Sequence, residues 1–472
     1  MTQTKLLTAF IALSTAIVLT AQTQPPTGPP PPTQPPAGQK PGQQPDVLDI
    51  SISGVGGPPK YAIPELVALT NDPETVKAAK IIGEVLFDDI AYEKEFYMIP
   101  RDIMRTIPKP SSPDQIALDR WKEVGADGVV IGFVRRSGDG VVVEMRLMQV
   151  SSGKMVLGKQ YSGSLKSVSD GGRMYAHTFA DEVHNQQRAL RGVARTKLAY
   201  SSDRDGGQVK GPVGSRGVSA IYMADYDGAN EKRVTFQTAL EISPVWSPDA
   251  KSIAYTSYRD GFPDILISRI YEGKPPERPI RGGKNARNYL PAWSHDGSRI
   301  AFMSARGDDG NTEIYIANRD GSNEHRVTNH PMADSTPTWA PNGNQLAFVS
   351  DRTGSPQVYI VNVDGTELRR ISTESYCDRP TWSPAPLNQI AYTCRGGGGY
   401  QIMLYDFAKG GSIPISDGIG SNESPAFAPN GRHIAFTSDR TGRPQIYTMA
   451  RDGTDLRQIT KAGANKYPNW SQ

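Results

Sequence analysis

Apolar positions along the first half of the chain change period several times, as alternating strands and helices require. Val47–Ser53 alternates apolar and polar residues like a half-buried strand and is broken by Gly54-Val55-Gly56-Gly57. That glycine run is no dinucleotide fingerprint, because Pro58-Pro59 stand where a helix would have to begin. Ala62–Leu69 reads as a second strand. Asp72-Pro73 then opens a helix carrying Val76, Ala79, Ile82, Leu86 and Ile90 on one stripe. Phe96–Ile99 is strand-like, and Ser112-Pro113 predicts a second helix reaching about Val124. A meander follows over Gly128–Arg135, Gly140–Val150 and Lys154–Ser162, with turns at Ser137-Gly138-Asp139-Gly140 and Ser151-Ser152-Gly153. A third helix runs from about Ser169 to Leu190. It carries His177 and His184 seven residues apart, read as structural histidines because no third metal ligand is in reach.

Beyond this region the pattern repeats. Pro244-Val-Trp-Ser, Pro291-Ala-Trp-Ser, Pro337-Thr-Trp-Ala, Pro380-Thr-Trp-Ser, Pro425-Ala-Phe-Ala and Pro468-Asn-Trp-Ser recur at spacings of 47, 46, 43, 45 and 43 residues. Each of the first five leads through a turn into an Ile-Ala-Tyr/Phe-type strand containing Ala254, Ala301, Ala347, Ala391 or Ala435. One more such strand, Lys197-Leu-Ala-Tyr200, precedes the first Pro-x-Trp motif. Four short strands per repeat of about 45 residues predict a β-propeller. The count is six blades with a circular offset, Tyr467–Ser471 supplying the innermost strand that the first blade lacks. Five of the six Trp share one repeat position and Phe427 fills the sixth, which points to packing between blades.

Composition narrows the picture. The 47 Gly and 38 Pro exclude a helical bundle, and 52 basic against 49 acidic residues leave too little charge for a nucleic-acid footprint. A mean hydropathy of −0.48 excludes a polytopic membrane protein. Residues 1–21 read as an export signal whose apolar stretch, Leu6–Leu19, is short for a bilayer span, with an uncleaved anchor as the alternative. Residues 22–45 form a Pro-rich linker, residues 46–191 an α/β domain and residues 192–472 the propeller. No Gly-x-Ser-x-Gly elbow, phosphate loop or His-Glu-x-x-His run occurs, so neither an enzyme nor a cofactor is expected. Asp225-Tyr-Asp227-Gly228 and its relatives at Asp320, Asp364 and Asp452 look like calcium loops but fall where hairpin turns belong.

The chain has only two cysteines. Cys377 lies three residues before Pro380, and Cys394 ends the strand Gln389-Ile-Ala-Tyr-Thr-Cys. A turn near Pro386 puts them almost opposite each other on an antiparallel pair, which predicts a disulfide. Two free thiols displaced by a bulge are the alternative.

Several stretches resemble the TolB family of the bacterial Tol–Pal envelope system. They are Tyr175-Ala-His177-Thr-Phe-Ala-Asp181-Glu182-Val183 running into Arg195-Thr-Lys-Leu-Ala-Tyr200, Ser53-Gly54-Val55, Gly125-Ala-Asp127-Gly128-Val-Val-Ile-Gly132 and the Asp225–Gly228 turn. The resemblance implies a monomeric periplasmic binding protein that supports outer-membrane integrity and cell division. It implies two partners, the lipoprotein Pal on the propeller face and TolA at the N-terminal segment. The strand Asp46, Val47, Leu48, Asp49, Ile50, Ser51 and Ile52 corresponds to the TolA-linked segment, although here a Pro-rich tail precedes it. Loops before each repeat Pro are expected to form the Pal face, contributing Glu241, Arg287, Asn288, Tyr289, Leu290, Asp334, Ser335, Asp378, Arg379, Asn422, Glu423 and Tyr467. Family positions that affect Pal binding fall on Arg287, Leu290 and Ser335. Ordinary solvated loops are the alternative for the face, and a glycan or peptide bound in the channel is the alternative for function.

Overall fold

Asp72 starts the first long helix as the sequence suggests. Its side chain accepts from Thr75 N at 3.1 Å and Pro73 occupies the first turn of α1 (Pro73–Tyr92). This is a computed structural model, and it describes residues 57–164, 172–211, 214–236, 238–281, 286–306 and 310–472. The expected export segment 1–21, the Pro-rich stretch 22–45 and the strand expected over Asp46–Ile52 lie outside the described residues.

The N-terminal region is a mixed sheet with helices against it. Its strands are β1 (Lys60–Ala62), β2 (Val67–Ala68), β3 (Tyr97–Met98), β4 (Gly128–Ser137), β5 (Gly140–Gln149) and β6 (Met155–Ser164). The order is β3-β1-β4-β5-β6, with β2 also on β4; β1 and β2 run parallel to β4, and β4–β6 form the antiparallel meander. The single strand expected over 62–69 is split into β1 and β2, because Pro64 has no amide to donate to a ladder. The expected helix from Ser112 shrinks to α3 (Leu118–Glu123), and a short α2 (Arg101–Arg105) appears after Pro100. Pro108, Pro110 and Pro113 keep the chain between them out of helix. On α1, Ala79, Ile82, Leu86 and Ile90 are buried as expected, but Val76 is 45% exposed. The cap at Asp72 sets the phase so that Thr75 turns inward instead. The last helix of the region, α4 (Arg173–Arg188), lies along α1.

Six blades follow. The first pairs Asn465–Trp470 with Lys197–Ser202, Ala220–Asp225 and Lys232–Arg233, so the C-terminal strand closes the ring. Four other blades each have four strands in sequence order. The second blade has three, Glu241–Trp246, Ser252–Ser257 and Asp264–Arg269. Pro275, Pro276 and Pro279 reduce its outer edge to a single bridge, Ile267 to Glu277. The repeat aromatics pack on the preceding blade: Trp339, for example, lies among Ala301, Ile314 and Ile316, and its indole donates to the Ala292 carbonyl at 3.0 Å. Asp320, Asp364 and Asp452 accept from Ser322, Thr366 and Thr454 within their hairpin turns. Gly453 completes one such turn at φ 89°, where a Cβ would stand 2.1 Å from the Ile415 carbonyl oxygen.

The N-terminal region docks on the first and last blades through buried polar contacts. His177 Nδ1 is 2.8 Å from Asp89 Oδ2, Tyr226 donates to Asp89 Oδ1 at 2.8 Å, and His177 Nε2 stands 3.8 Å from Asp225 Oδ2. Burial works against the imidazolium, yet the carboxylates of Asp225 and Asp89 beside it push His177 up to about 9. Nearby, Glu93 meets His433 Nε2 and Arg432 Nε, each at 3.3 Å, while Tyr92 stacks on the His433 ring. His184 is equally buried, and burial holds it below the ordinary imidazole value.

Candidate functional site at the propeller mouth

Each blade's innermost strand carries a bulge just before the repeat proline. The registers shift between Ile242 and Val245, Tyr289 and Ala292, Ser335 and Thr338, Asp378 and Thr381, Glu423 and Ala426, and Lys466 and Asn469. The residue immediately before each proline takes up the bend in the left-handed region. These six are Ser243 (φ 53°), Leu290 (51°), Thr336 (46°), Arg379 (55°), Ser424 (56°) and Tyr467 (58°). Such a conformation costs a non-glycine residue about 1–2 kcal/mol, so neighbouring structure must hold it. Hydroxyls of the preceding blade do so in three places, where Thr256, Thr393 and Thr437 accept from the amides of Leu290, Ser424 and Tyr467 at 2.9–3.1 Å. The six residues ring a cavity of about 130 Å³ at one end of the channel.

Arg379 is the one cation in this ring. Its guanidinium carbon lies 4.4 Å from the centre of the Tyr467 ring, and its Nη1 donates to Ser243 Oγ at 3.2 Å. Ser243 belongs to the second blade and Arg379 to the fifth, so the side chain reaches across the mouth. Asp378 stands beside it at 3.9 Å and receives a hydrogen bond from Thr336 Oγ1 at 3.3 Å. On the rim, Arg287 lies over the exposed Phe262 ring at 5.2 Å. Burial lifts the Glu423 carboxyl above its usual range, against the pull of Lys466 and Arg379. At the other end of the channel, a cavity of about 110 Å³ is walled by the repeat aromatics, His295 and Gln472.

The residues expected on the face divide into two groups. Arg287, Tyr289, Leu290, Ser335, Asp378, Arg379, Glu423 and Tyr467 are partly accessible. Glu241, Asn288, Asp334 and Asn422 are buried, and all twelve belong to innermost strands rather than loops. The buried four lie on one rung of the ring, opposite Ser257, Ser304, Ser350 and Ser438. Asn465 faces Ser202 on the same rung of the first blade. The fifth blade puts Cys377 opposite Cys394 there, joined as a disulfide with Cα atoms 4.2 Å apart. Ser243, Thr336 and Ser424 line the mouth but escape the loop reading; the proline that follows each of them is the signal that marks the position.

Two family models match. The TolB amino-terminal domain matches residues 48–156, and the TolB beta propeller domain matches residues 185–412 and 374–472, together most of the chain. The chain belongs to the TolB family. It is 32% identical over 269 residues to the Tol-Pal system protein TolB of Desulfosudis oleivorans, covering 57% of each chain. It is 32% identical over 287 residues to that of Anaeromyxobacter dehalogenans, covering 60% of this chain and 61% of the relative. These matches therefore span about three-fifths of each relative's length. The crystal structure of TolB from Acinetobacter baumannii shares the fold at a TM-score of 0.68 with 23% identity, covering 88% of this chain and 96% of that one.

Proposed function

We propose that this TolB-family chain is a non-catalytic periplasmic scaffold whose propeller mouth receives the globular domain of a Pal-like outer-membrane lipoprotein. Its segment Asp46–Ile52 engages a TolA-like protein, and the assembly supports outer-membrane integrity and division. The observation that carries the reading is the mouth itself. A cation and a tyrosine stacked across a rigid ring, with Arg287 over Phe262 at the rim, are the Arg and aromatic anchors that protein interfaces favour. The relatives' description as Tol-Pal system proteins agrees with it, and a disulfide suits an oxidising compartment. The alternative of a glycan or peptide in the channel is disfavoured by size, since cavities of about 130 and 110 Å³ fall short of the roughly 300 Å³ at which small-molecule sites begin.

The test is titration of the full chain with the Pal-like globular domain of the same organism. Arg379→Ala with Tyr467→Ala, and separately Arg287→Ala with Tyr289→Ala, are expected to weaken binding at least tenfold, about 1.4 kcal/mol. Affinity within twofold of the parent for both pairs would remove the mouth as the docking face.

A further inference from the structure

The disulfide has a carboxylate against it. Glu374 Oε2 lies 3.5 Å from Cys377 Sγ and 3.6 Å from Cys394 Sγ. The side chain is held in place, since Thr373 N donates to the same oxygen at 3.0 Å and Gln357 Nε2 donates to the Glu374 carbonyl at 2.8 Å. Both cysteines are buried, at 0% and 2% exposure, while Glu374 is partly open to solvent. The three residues form a compact group of possible ligand atoms, all within 4.8 Å of one another.

Sulfur–oxygen separations of 3.5–3.6 Å are those of a tetrahedral zinc centre. With Zn–S of about 2.3 Å and Zn–O of about 2.0 Å, tetrahedral angles put sulfur and oxygen about 3.5 Å apart. Only the two sulfurs would have to move, from bonding distance to about 3.8 Å, the spacing two thiolates keep on one zinc ion. The sequence supplies a second observation. Three residues before the inner-rung position, the other blades carry Thr238, Asn285, Pro331, Ile419 and Ala462, so the acid occurs only in the blade that has the cysteines. A carboxylate set against a disulfide donates no hydrogen bond to it, whereas beside two thiolates and a dication it is a ligand.

We propose that reduction of Cys377–Cys394 converts this corner of the fifth blade into a zinc site of two thiolates and the Glu374 carboxylate, with water in the fourth position. A dithiol reductant supplies two electrons and two protons, is itself oxidised to a disulfide, and leaves two thiols. Zn²⁺ then binds as both thiol protons are released to solvent. Metal enters from the accessible side of Glu374. The ion would replace the lost covalent bond between the two strands, so Asp378 and Arg379 at the mouth stay anchored in either redox state.

Cobalt titration of the full chain reads the site directly. After reduction with a phosphine and its removal, one Co²⁺ per chain is expected to give a thiolate-to-cobalt charge-transfer band and the intense visible bands of a tetrahedral site, and Zn²⁺ should bleach both. The oxidised chain should give neither. Glu374→Gln, which leaves the disulfide intact for folding, should weaken Co²⁺ binding at least tenfold once reduced, and Cys377→Ser should abolish the charge-transfer band. Zinc should also raise the melting temperature of the reduced chain and leave that of the oxidised chain unchanged, a reading that holds even where reduction loosens the blade. No charge-transfer band, equal affinity in Glu374→Gln, or a zinc-insensitive melt of the reduced chain would each overturn the proposal.

Discussion

Replacing Glu241 by Gln isolates the electrostatic cost of a single buried acid on the inner rung. Asp334, the other carboxylate there, meets Arg352 at 3.0 Å, whereas Glu241 is fully buried without an ion pair, Ser257 Oγ lying 3.4 Å from its Oε1. Burial raises its carboxyl from 4.5 to about 7, against hydrogen bonds from Thr235 and Ser257 and the more distant Arg233 and Arg259. Each tenfold change in acidity is worth about 1.4 kcal/mol, so a gap of this size corresponds to about 3 kcal/mol. Below pH 4.5 both folded and unfolded chains hold the proton and no penalty applies; it grows as pH rises from 4.5 to 7 and is complete above that. Glu241→Gln keeps a neutral side chain of the same shape at every pH. It is therefore expected to match the parent at pH 4.5 and to be about 2–3 kcal/mol more stable at pH 8. Urea denaturation followed by tryptophan fluorescence at both pH values measures this, because every other titrating group is common to the two chains. A stability difference that is the same at both pH values would refute the reasoning. Binding of the Pal-like domain should be unaffected, since the side chain never reaches the mouth.

Two further outcomes follow from packing and from the docking network. Trp339→Ala should cost about 3–5 kcal/mol by emptying the space between the third and fourth blades, with Trp339→Phe less damaging, in the same denaturation assay. His177 has a folded value of about 9 against an ordinary 6.5, so its contribution is complete below pH 6.5 and lost as pH rises through 9. Hydrogen exchange at α1 and α4 should therefore accelerate between pH 7 and 9.5 beyond the intrinsic increase. That extra acceleration should vanish in His177→Ala, which should itself cost about 3–5 kcal/mol by taking from buried Asp89 its cationic partner, the Tyr226 hydroxyl remaining.

The blade count, the ring closure and the inter-blade role of the tryptophans were legible because each rests on a residue type recurring at one spacing. The buried rung was not. Glu241, Asn288, Asp334 and Asn422 are polar, and polar residues before a proline read as solvated loop. Their partners come from several strands and turns: Asn288 accepts from Ser304 and donates to Asp264, Asp334 meets Arg352, Asn422 donates to Gln401 and accepts from Arg440, and Glu241 alone of the four keeps an unpartnered oxygen. The cysteine pair was readable on the same rung because two opposed cysteines have a distinctive chemistry, which an Asn facing a Ser lacks. The docking network escaped for another reason: His177 and Asp89 are 88 residues apart, and no local period links them. On α1, the inward turn of Thr75 in place of Val76 shows a cap overriding a hydropathy stripe.

The first blade is sewn from strands far apart in the chain: Lys197 N donates to Ser471 Oγ across 274 residues, and the Trp470 indole donates to Thr196 Oγ1. A ribosome delivers these halves at opposite ends of the propeller's synthesis, so Lys197–Ser202 must wait with an open inner edge while five blades emerge behind it. Contacts this distant in sequence are slow to form. A chain that stalls before Asn465 leaves the inner edge of Lys197–Ser202 unpaired, a form that chaperones and proteases are equipped to detect. Ring closure thus acts as a completeness check on the molecule: α1 and α4 rest on the first and last blades, and the platform they need exists only once the circle is shut.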